Sequence, residues 1–206
     1  KKEKAGHFVG SIVNIAEQAV PTGVQKYMII DGQQRMTTLT LLLLALRDYA
    51  IKNPGDTTIN SRRIDNMLLK NEYEVGDERY KLLLTETDRD ILISLVEEKP
   101  IAEGIRSRLI ENYTFFAGKL ADKEIQPAEV YESIGKLQIV NITLDRTVDD
   151  AQAIFESLNS TGKELSESDL IRNYVLMGLE PSEQTYVYEH LWRPMEQLFV
   201  YETQGT

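Results

Sequence analysis

The sequence has no cysteine, no long hydrophobic run and a minority of basic residues. Without cysteine, the chain has neither a disulfide framework nor a thiolate metal site. Its most apolar stretch, Leu39–Leu46, already contains Thr40 and is far shorter than the ~20 residues of a membrane span. Acidic residues outnumber basic ones by 33 to 23, which gives a net charge of −10. We therefore expect no membrane association, and any contact with DNA must come from a local patch or from another part of the protein.

The remaining composition is typical of a globular protein. Hydrophobic residues make up 42% and charged residues 27% of the chain, which suffices for one sizeable core or two small ones. The first residue is not Met, so we expect the sequence to be a fragment. No secretory signal opens it, so we expect a cytoplasmic location.

Hydrophobic patterning predicts an α/β layer at the start of the chain. Short strands are expected at 8–13 and at 27–30, and Gly10 in the first marks a bulge or a close backbone approach. The second strand is apolar on both faces, as central strands are. A largely buried helix is expected over about 33–51.

The rest of the chain predicts a helical lobe with one returning strand. The expected elements are a hairpin at 68–84, a helix capped by Thr87, a helix carrying Ile105 to Leu120, a short helix near 130–134, a strand at 137–144, and helices near 149–159, 167–178 and 182–200, the last kinked by Pro194. The predicted fold class is α/β (helix-rich α+β), with a small sheet layer packed against helices. We divide the chain into a core at 1–55, an inserted hairpin and helices at 56–136, and a returning strand with helical lobe at 137–206.

The most specific segment is the junction between the second strand and the long helix. Residues 30–39 read Ile-Asp-Gly-Gln-Gln-Arg-Met-Thr-Thr-Leu. This segment favours an anion or phosphate cradle, because it combines the free amides of a helix start with Gly32 and the planar donor fork of Arg35. Asp31 would lie at the mouth of the cradle, where it could hold Mg²⁺ or orient a water. A structural alternative is that Asp31 is a simple N-cap and Arg35 a solvated first-turn residue.

A second polar segment lies at 153–174. It groups Asn159, Ser160, Thr161 and Lys163 at the expected corner between two helices, where Gly162 suits a left-handed cap. A purely structural helical corner also explains this pattern. The two histidines, His7 and His190, are far apart, and each is more typical of a surface or core residue than of a catalyst.

Both segments resemble those of the GmrSD-type N-terminal domain family. These are ParB/sulfiredoxin-related domains of bacterial modification-dependent restriction and anti-phage systems. The similarity is carried by the Asp-Gly-Gln-Gln-Arg string at 31–35, by residues 8–13, and by Phe-Glu-x-Leu-Asn-x-Thr-Gly at 155–162, and it covers about residues 8–177. Family members usually begin with an Ile-Pro-x-x-Gln-Arg-x-Tyr-x-Trp block, which is absent here, as is the HNH-type nuclease motif of full-length relatives.

The resemblance implies a ParB/sulfiredoxin-like sheet and a nucleotide-binding, NTP-hydrolysing regulatory domain of a restriction or phage-defence protein. It implies an NTP (GTP, ATP or CTP) and Mg²⁺ as cofactors, and as partners DNA through the full-length protein, an HNH-type nuclease domain or subunit, and a second copy of the chain. The implied catalytic residues are Asp31, Gln33, Gln34 and Arg35, with Asp31 as the metal ligand. The implied phosphate-binding residues are Gly32, Arg35, Thr37, Asn159 and Lys163. Two alternatives stay open: a ParB-like DNA nuclease, and a non-enzymatic module that recognises DNA or a partner.

Overall fold

The computed structural model describes residues 6–17, 23–102, 104–122 and 125–145, and a few positions between 171 and 195. The backbone divides into two compact units, 1–13 with 17–142, and 14–16 with 143–206. The described elements are β1 His7–Ala16, β2 Tyr27–Asp31, α1 Gln33–Lys52, α2 Ser61–Arg63, a π-helix Ile64–Leu69, a 3₁₀ helix Gly76–Arg79, α3 Glu86–Val96, α4 Arg108–Ala121, α5 Pro127–Ile134, β3 Leu137–Leu144 and a π-helix Tyr188–Trp192. The predicted mixed α/β, helix-rich class is confirmed. Our three-part division of the chain stays a prediction.

In the described residues, the sheet has three strands in the order β2-β1-β3. β1 is therefore the central strand, and it buries Val13 and Ile15. Our expectation that the 27–30 strand is central was wrong. Among the described strands, β2 lies at an edge, where Tyr27 is about half exposed.

Helix α1 organises the core of the larger unit. Its most extensive packing partner is α4, and Leu41, Leu44 and Leu46 have no solvent exposure. Each fully buried leucine contributes about 2 kcal/mol relative to an exposed one. Partners from the other helices complete the core: Ile64, Leu69, Ile91, Leu92, Val96, Leu109 and Leu120. In the part of the chain that is described, no helix combines the length and the apolarity needed to cross a membrane.

The predicted hairpin at 68–84 is confirmed only in part: the chain turns back and pairs antiparallel at 69–71 with 79–81, but it forms no extended strands. The segment contains the end of the π-helix, a single antiparallel bridge between Lys70 and Tyr80, and the 3₁₀ helix. Tyr73 and Val75 alternate with glutamates as strand residues do, yet they are 91% and 84% exposed. Because no buried face fixes the register, the alternation does not produce a strand.

Two helix starts also differ from prediction. α3 begins at Glu86 with Thr85 as its N-cap residue, not at Thr87. α4 begins at Arg108, because the side chain of Ser107 accepts a hydrogen bond from the Leu109 amide at 3.1 Å. Ile105 therefore precedes α4 and is 46% exposed.

The predicted helix at 149–159 lies outside the described residues. Of the two later predicted helices, only scattered positions are described. They include the π-helix Tyr188–Trp192, which ends two residues before Pro194. The kink expected at Pro194 stays a prediction.

Candidate functional site

The candidate site begins where β2 runs into α1. Asp31 is the last residue of β2, and Gly32 then turns the chain with φ 95° and ψ 7°, a left-handed conformation. Gly32, not Asp31, is the N-cap residue of α1. No side chain caps the helix, and its first turn contains no acidic residue. The alternative that Asp31 is a simple N-cap was therefore wrong.

The first amides of α1 are consequently uncapped. The first helical hydrogen bond runs from the Met36 amide to the Gly32 carbonyl at 3.0 Å. The amides of Gln33, Gln34 and Arg35 precede this ladder and carry the positive end of the helix dipole. Such a group of donors is complementary to an anion.

Arg35 joins the start of α1 to both strands. Its Nη2 donates to the Ser11 carbonyl of β1 at 2.5 Å and to Asp31 Oδ2 of β2 at 2.8 Å. The side chain is 38% exposed and that of Asp31 is 26% exposed. The alternative that Arg35 is a solvated first-turn residue was wrong, since its guanidinium is partly buried and held on two sides.

Two glycines make room for this guanidinium. Gly10 has φ 108°, and a Cβ on it would lie 3.3 Å from Arg35 Nη1 and 3.4 Å from Cζ. The predicted close approach at Gly10 is thus confirmed, and Arg35 makes it. A Cβ on Gly32 would lie 3.0 Å from Ile12 Cγ1 and 3.2 Å from the Ser11 carbonyl oxygen. Glycine at 32 is therefore required by packing on β1 as well as by the turn.

One donor of Arg35 is not satisfied. Its Nε is buried and has no hydrogen-bond partner. A buried unpaired donor of this kind costs about 1–3 kcal/mol. This donor is buried beside Gly10.

The other predicted site residues differ in how they are placed. Gln33 Nε2 donates to the Ile29 carbonyl at 2.9 Å, and Thr37 Oγ1 donates to the Gln33 carbonyl at 2.9 Å. Gln34 is exposed at the helix start. The structure thus groups residues 31–35 and 37 at one strand–helix junction. Asn159 and Lys163 lie outside the described residues.

The two histidines lie apart from this junction along the chain. His7 is exposed at the start of β1. The exposed His190 ring stacks on Tyr186 with ring centroids 4.5 Å apart. In the described ranges, no group of three or more His, Cys, Asp or Glu side chains is arranged to hold a metal ion.

A buried ionic cluster further along α1 was missed by sequence reasoning. Arg47 is only 1% exposed. Its Nε donates to Asp48 Oδ1 at 2.7 Å, and its Nη1 donates to Asp65 Oδ1 at 3.0 Å. Its Nη1 and Nη2 also donate to the carbonyls of Val96 at 2.7 Å and Leu95 at 3.0 Å. Burial opposes the charge on Arg47, but Asp48 and Asp65 outweigh that effect and raise its pKa.

The cluster continues through neighbouring charges. Lys70 pairs with Asp65 at 3.1 Å, and Arg79 Nε pairs with Glu97 at 3.0 Å. The Tyr113 hydroxyl of α4 donates to Asp48 Oδ2 at 2.5 Å. The sequence does contain a signal that could have revealed this cluster: Arg47 and Asp48 form a charged pair inside an otherwise apolar helix. The cluster ties α1 to α3, α4 and the π-helix Ile64–Leu69, so its role is structural.

Comparison with known protein families confirms the family that the two polar segments resemble. A family model described as the GmrSD restriction endonuclease, N-terminal domain, matches residues 2–176. The match includes both polar segments singled out in the sequence. No curated protein sequence matches the chain significantly.

Proposed function

Because the chain belongs to the GmrSD restriction endonuclease N-terminal domain family, we propose that it is the nucleotide-binding, NTP-hydrolysing regulatory domain of a modification-dependent DNA restriction or phage-defence protein. One observation carries the proposal: the Arg35 guanidinium lies over Gly10, at the uncapped start of α1. This places a permanent cation beside three helix-start amides.

A phosphate group suits this arrangement for two reasons. The amides of Gln33, Gln34 and Arg35 lie before the helical ladder and favour negative charge. Arg35 adds a planar fork suited to phosphate oxygens, and its side chain is partly exposed. In this proposal, the phosphate competes with Asp31 for the guanidinium.

In this proposal, Asp31 holds Mg²⁺. Magnesium in nucleotide sites is commonly bound through one or two carboxylates together with phosphate oxygens and waters. A single carboxylate at the helix start fits that pattern. If Arg35 turned to the phosphate, the Asp31 oxygen that it now binds would be free to coordinate the ion. The ion would neutralise charge that develops on the transferred phosphoryl group.

The remaining residues have supporting roles in this proposal. Gln34 is exposed at the helix start and would orient the attacking water. Gln33 would do so only after releasing the Ile29 carbonyl. Thr37, Asn159 and Lys163 would add further contacts to the nucleotide. DNA would be bound by the full-length protein, through an HNH-type nuclease domain or subunit.

A thermal-shift series tests nucleotide binding directly. GTP, ATP and CTP are each added with Mg²⁺ to the full-length protein, to Arg35→Ala and to the control Arg62→Ala, which changes an exposed arginine of α2. A nucleotide present at 100 times its Kd stabilises the folded protein by about 2.7 kcal/mol. We expect a rise in melting temperature of several degrees for the wild type and Arg62→Ala, and none for Arg35→Ala. No shift with any nucleotide would overturn the proposal.

Release of inorganic phosphate tests hydrolysis separately. We expect release by the wild type, and its loss in Asp31→Asn and in Arg35→Ala. Binding without release in the wild type would reduce the proposal to nucleotide sensing.

A further inference from the structure

An exposed loop at residues 71–79, here called the acidic loop, carries two apolar side chains with little contact to the rest of the protein. Tyr73 is 91% and Val75 is 84% exposed. They are the two most exposed large hydrophobic residues in the described part of the chain. Large apolar side chains presented in this way are typical of surfaces that bind other proteins.

The backbone of the acidic loop is ordered by its own hydrogen bonds. The Asn71 amide donates to the Arg79 carbonyl at 2.7 Å, and Asn71 Nδ2 donates to the Glu78 carbonyl at 2.6 Å. The Glu74 amide donates to the Asn71 carbonyl at 3.2 Å. Since the loop is ordered before any partner binds, association would cost little conformational entropy.

The charge of the loop indicates the kind of partner. Asp77 pairs with Arg89, and Glu78 pairs with Lys26 at 3.2 Å. Glu72 and Glu74, which flank Tyr73, have no such partner among the described residues. The tip therefore presents an aromatic ring between two uncompensated carboxylates. Like charge disfavours direct contact with nucleic acid, whereas a basic surface is complementary.

We propose that the acidic loop docks on a basic protein surface, namely the DNA-handling nuclease part of the same restriction system. The inference rests on the proposed function only in its choice of partner. A surface that binds DNA must be rich in lysine and arginine, which is the charge that Glu72 and Glu74 match. Tyr73 is the anchor of the contact, and the two carboxylates set its charge preference.

Photo-crosslinking tests this proposal. Tyr73 is replaced by the photoreactive residue p-benzoylphenylalanine in the full-length protein, assembled with its nuclease component. The matched control carries the same residue at Phe115, which is 58% exposed on α4. We expect position 73 to crosslink to a lysine- and arginine-rich peptide of the nuclease, with a yield at least about tenfold above that from position 115. No crosslink, or products only with an acidic surface or a second copy of the domain, would overturn the proposal.

Charge reversal provides the second arm. Glu72→Lys with Glu74→Lys, combined with the crosslinker at 73, should lower the yield about tenfold while the melting temperature is unchanged. An unchanged yield would contradict the proposed charge preference. Arg35→Ala is expected to abolish nucleotide stabilisation and to leave the crosslink intact. Failure of docking and failure of nucleotide binding can therefore be told apart.

Discussion

Gly10 and Arg35 are in direct contact across the strand–helix junction. The guanidinium lies so close to the Gly10 backbone that a Cβ there would be 3.3 Å from Nη1. Arg35 also binds the carbonyl of the next residue, Ser11, 24 positions away in the sequence. The absence of a side chain at Gly10 in β1 therefore leaves the space that the Arg35 guanidinium of α1 fills.

The first prediction concerns Gly10→Ala. A φ of 108° is strained for any residue with a side chain, and the new methyl group would press on the guanidinium. We expect the free energy of unfolding to fall by about 1–3 kcal/mol. Urea denaturation measures this change, and nucleotide stabilisation should weaken in the same variant.

Gly118→Ala is the matched control. Gly118 lies inside α4, and nothing is within 4 Å of the position that its Cβ would take. Alanine is the better helix former, so stability should rise by about 0.5–1 kcal/mol. Equal effects of the two substitutions would show that the contact with Arg35 has no special role.

The second prediction separates Asp31 from Arg35 in nucleotide binding. Asp31 partly neutralises Arg35 in the free protein. Asp31→Asn should therefore bind nucleotide about two- to fivefold more tightly than the wild type when Mg²⁺ is absent. The wild type should gain affinity on addition of Mg²⁺, and the variant should not. Isothermal titration calorimetry with and without Mg²⁺ measures both effects.

Asp90→Asn serves as the control for this experiment, because Asp90 is an exposed carboxylate of α3. It should behave as the wild type in both titrations. If Asp31→Asn retains the full Mg²⁺ dependence, Asp31 is not the metal ligand.

The third prediction concerns the buried ionic cluster. Arg47→Met would leave Asp48, Asp65 and the carbonyls of Leu95 and Val96 without their shared donor. Breaking a buried pair in this way costs about 3–5 kcal/mol. Chemical denaturation should show this loss.

Arg47→Lys tests the geometry in case the methionine variant does not fold. It keeps the charge but lacks the fork, so its loss of stability should be smaller than that of Arg47→Met. Arg62→Met, at an exposed position of α2, should change stability by no more than about 0.5 kcal/mol. A similarly small change for Arg47→Met would refute the structural role of the cluster.

The fourth prediction is a pH dependence. Burial, followed by the hydrogen bond to Asp48 and its negative charge, raises the pKa of Tyr113 well above the ordinary value of 10.0. The folded state therefore holds the phenol proton more tightly than the unfolded state does. The resulting stabilisation is fully present below pH 10 and is lost as the pH rises toward the pKa of the folded state.

Tyr113→Phe should therefore be less stable than the wild type by about 1.5–3 kcal/mol at neutral pH. This difference should shrink above pH 10. Unfolding curves recorded from pH 7 to strongly alkaline conditions measure it, with Tyr73→Phe, changed at an exposed position, as the control. A difference that is constant across the pH range would argue against the hydrogen bond.

Periodicity predicted the sheet and α1 well. The strand at 137–144 has the predicted bounds, and β1, β2 and α1 lie where alternating and helical patterns placed them. Helix α1 and the second half of β1 have buried side chains that the sequence pattern records. Most side chains of β3 are exposed, so its run of β-branched residues marked it as a strand. The acidic loop was misread because its alternating pattern has no buried face behind it.

The contacts of the arginines were beyond sequence reasoning. Arg47 binds the Val96 carbonyl 49 positions away, and no local pattern specifies such a partner. Arg35 was correctly singled out. Its hold on the Ser11 carbonyl, however, depends on how β1 pairs with β2, which only the folded sheet determines.

Helix α1 is fixed by an arginine near each end. From 35 to 47 the helix rises ~18 Å. Because backbone hydrogen bonds run along its whole length, α1 keeps a fixed distance between the contacts of Arg35 and those of Arg47. An axial shift of α1 would therefore break the hydrogen bond of Arg35 to the Ser11 carbonyl and those of Arg47 to the carbonyls of Leu95 and Val96 together.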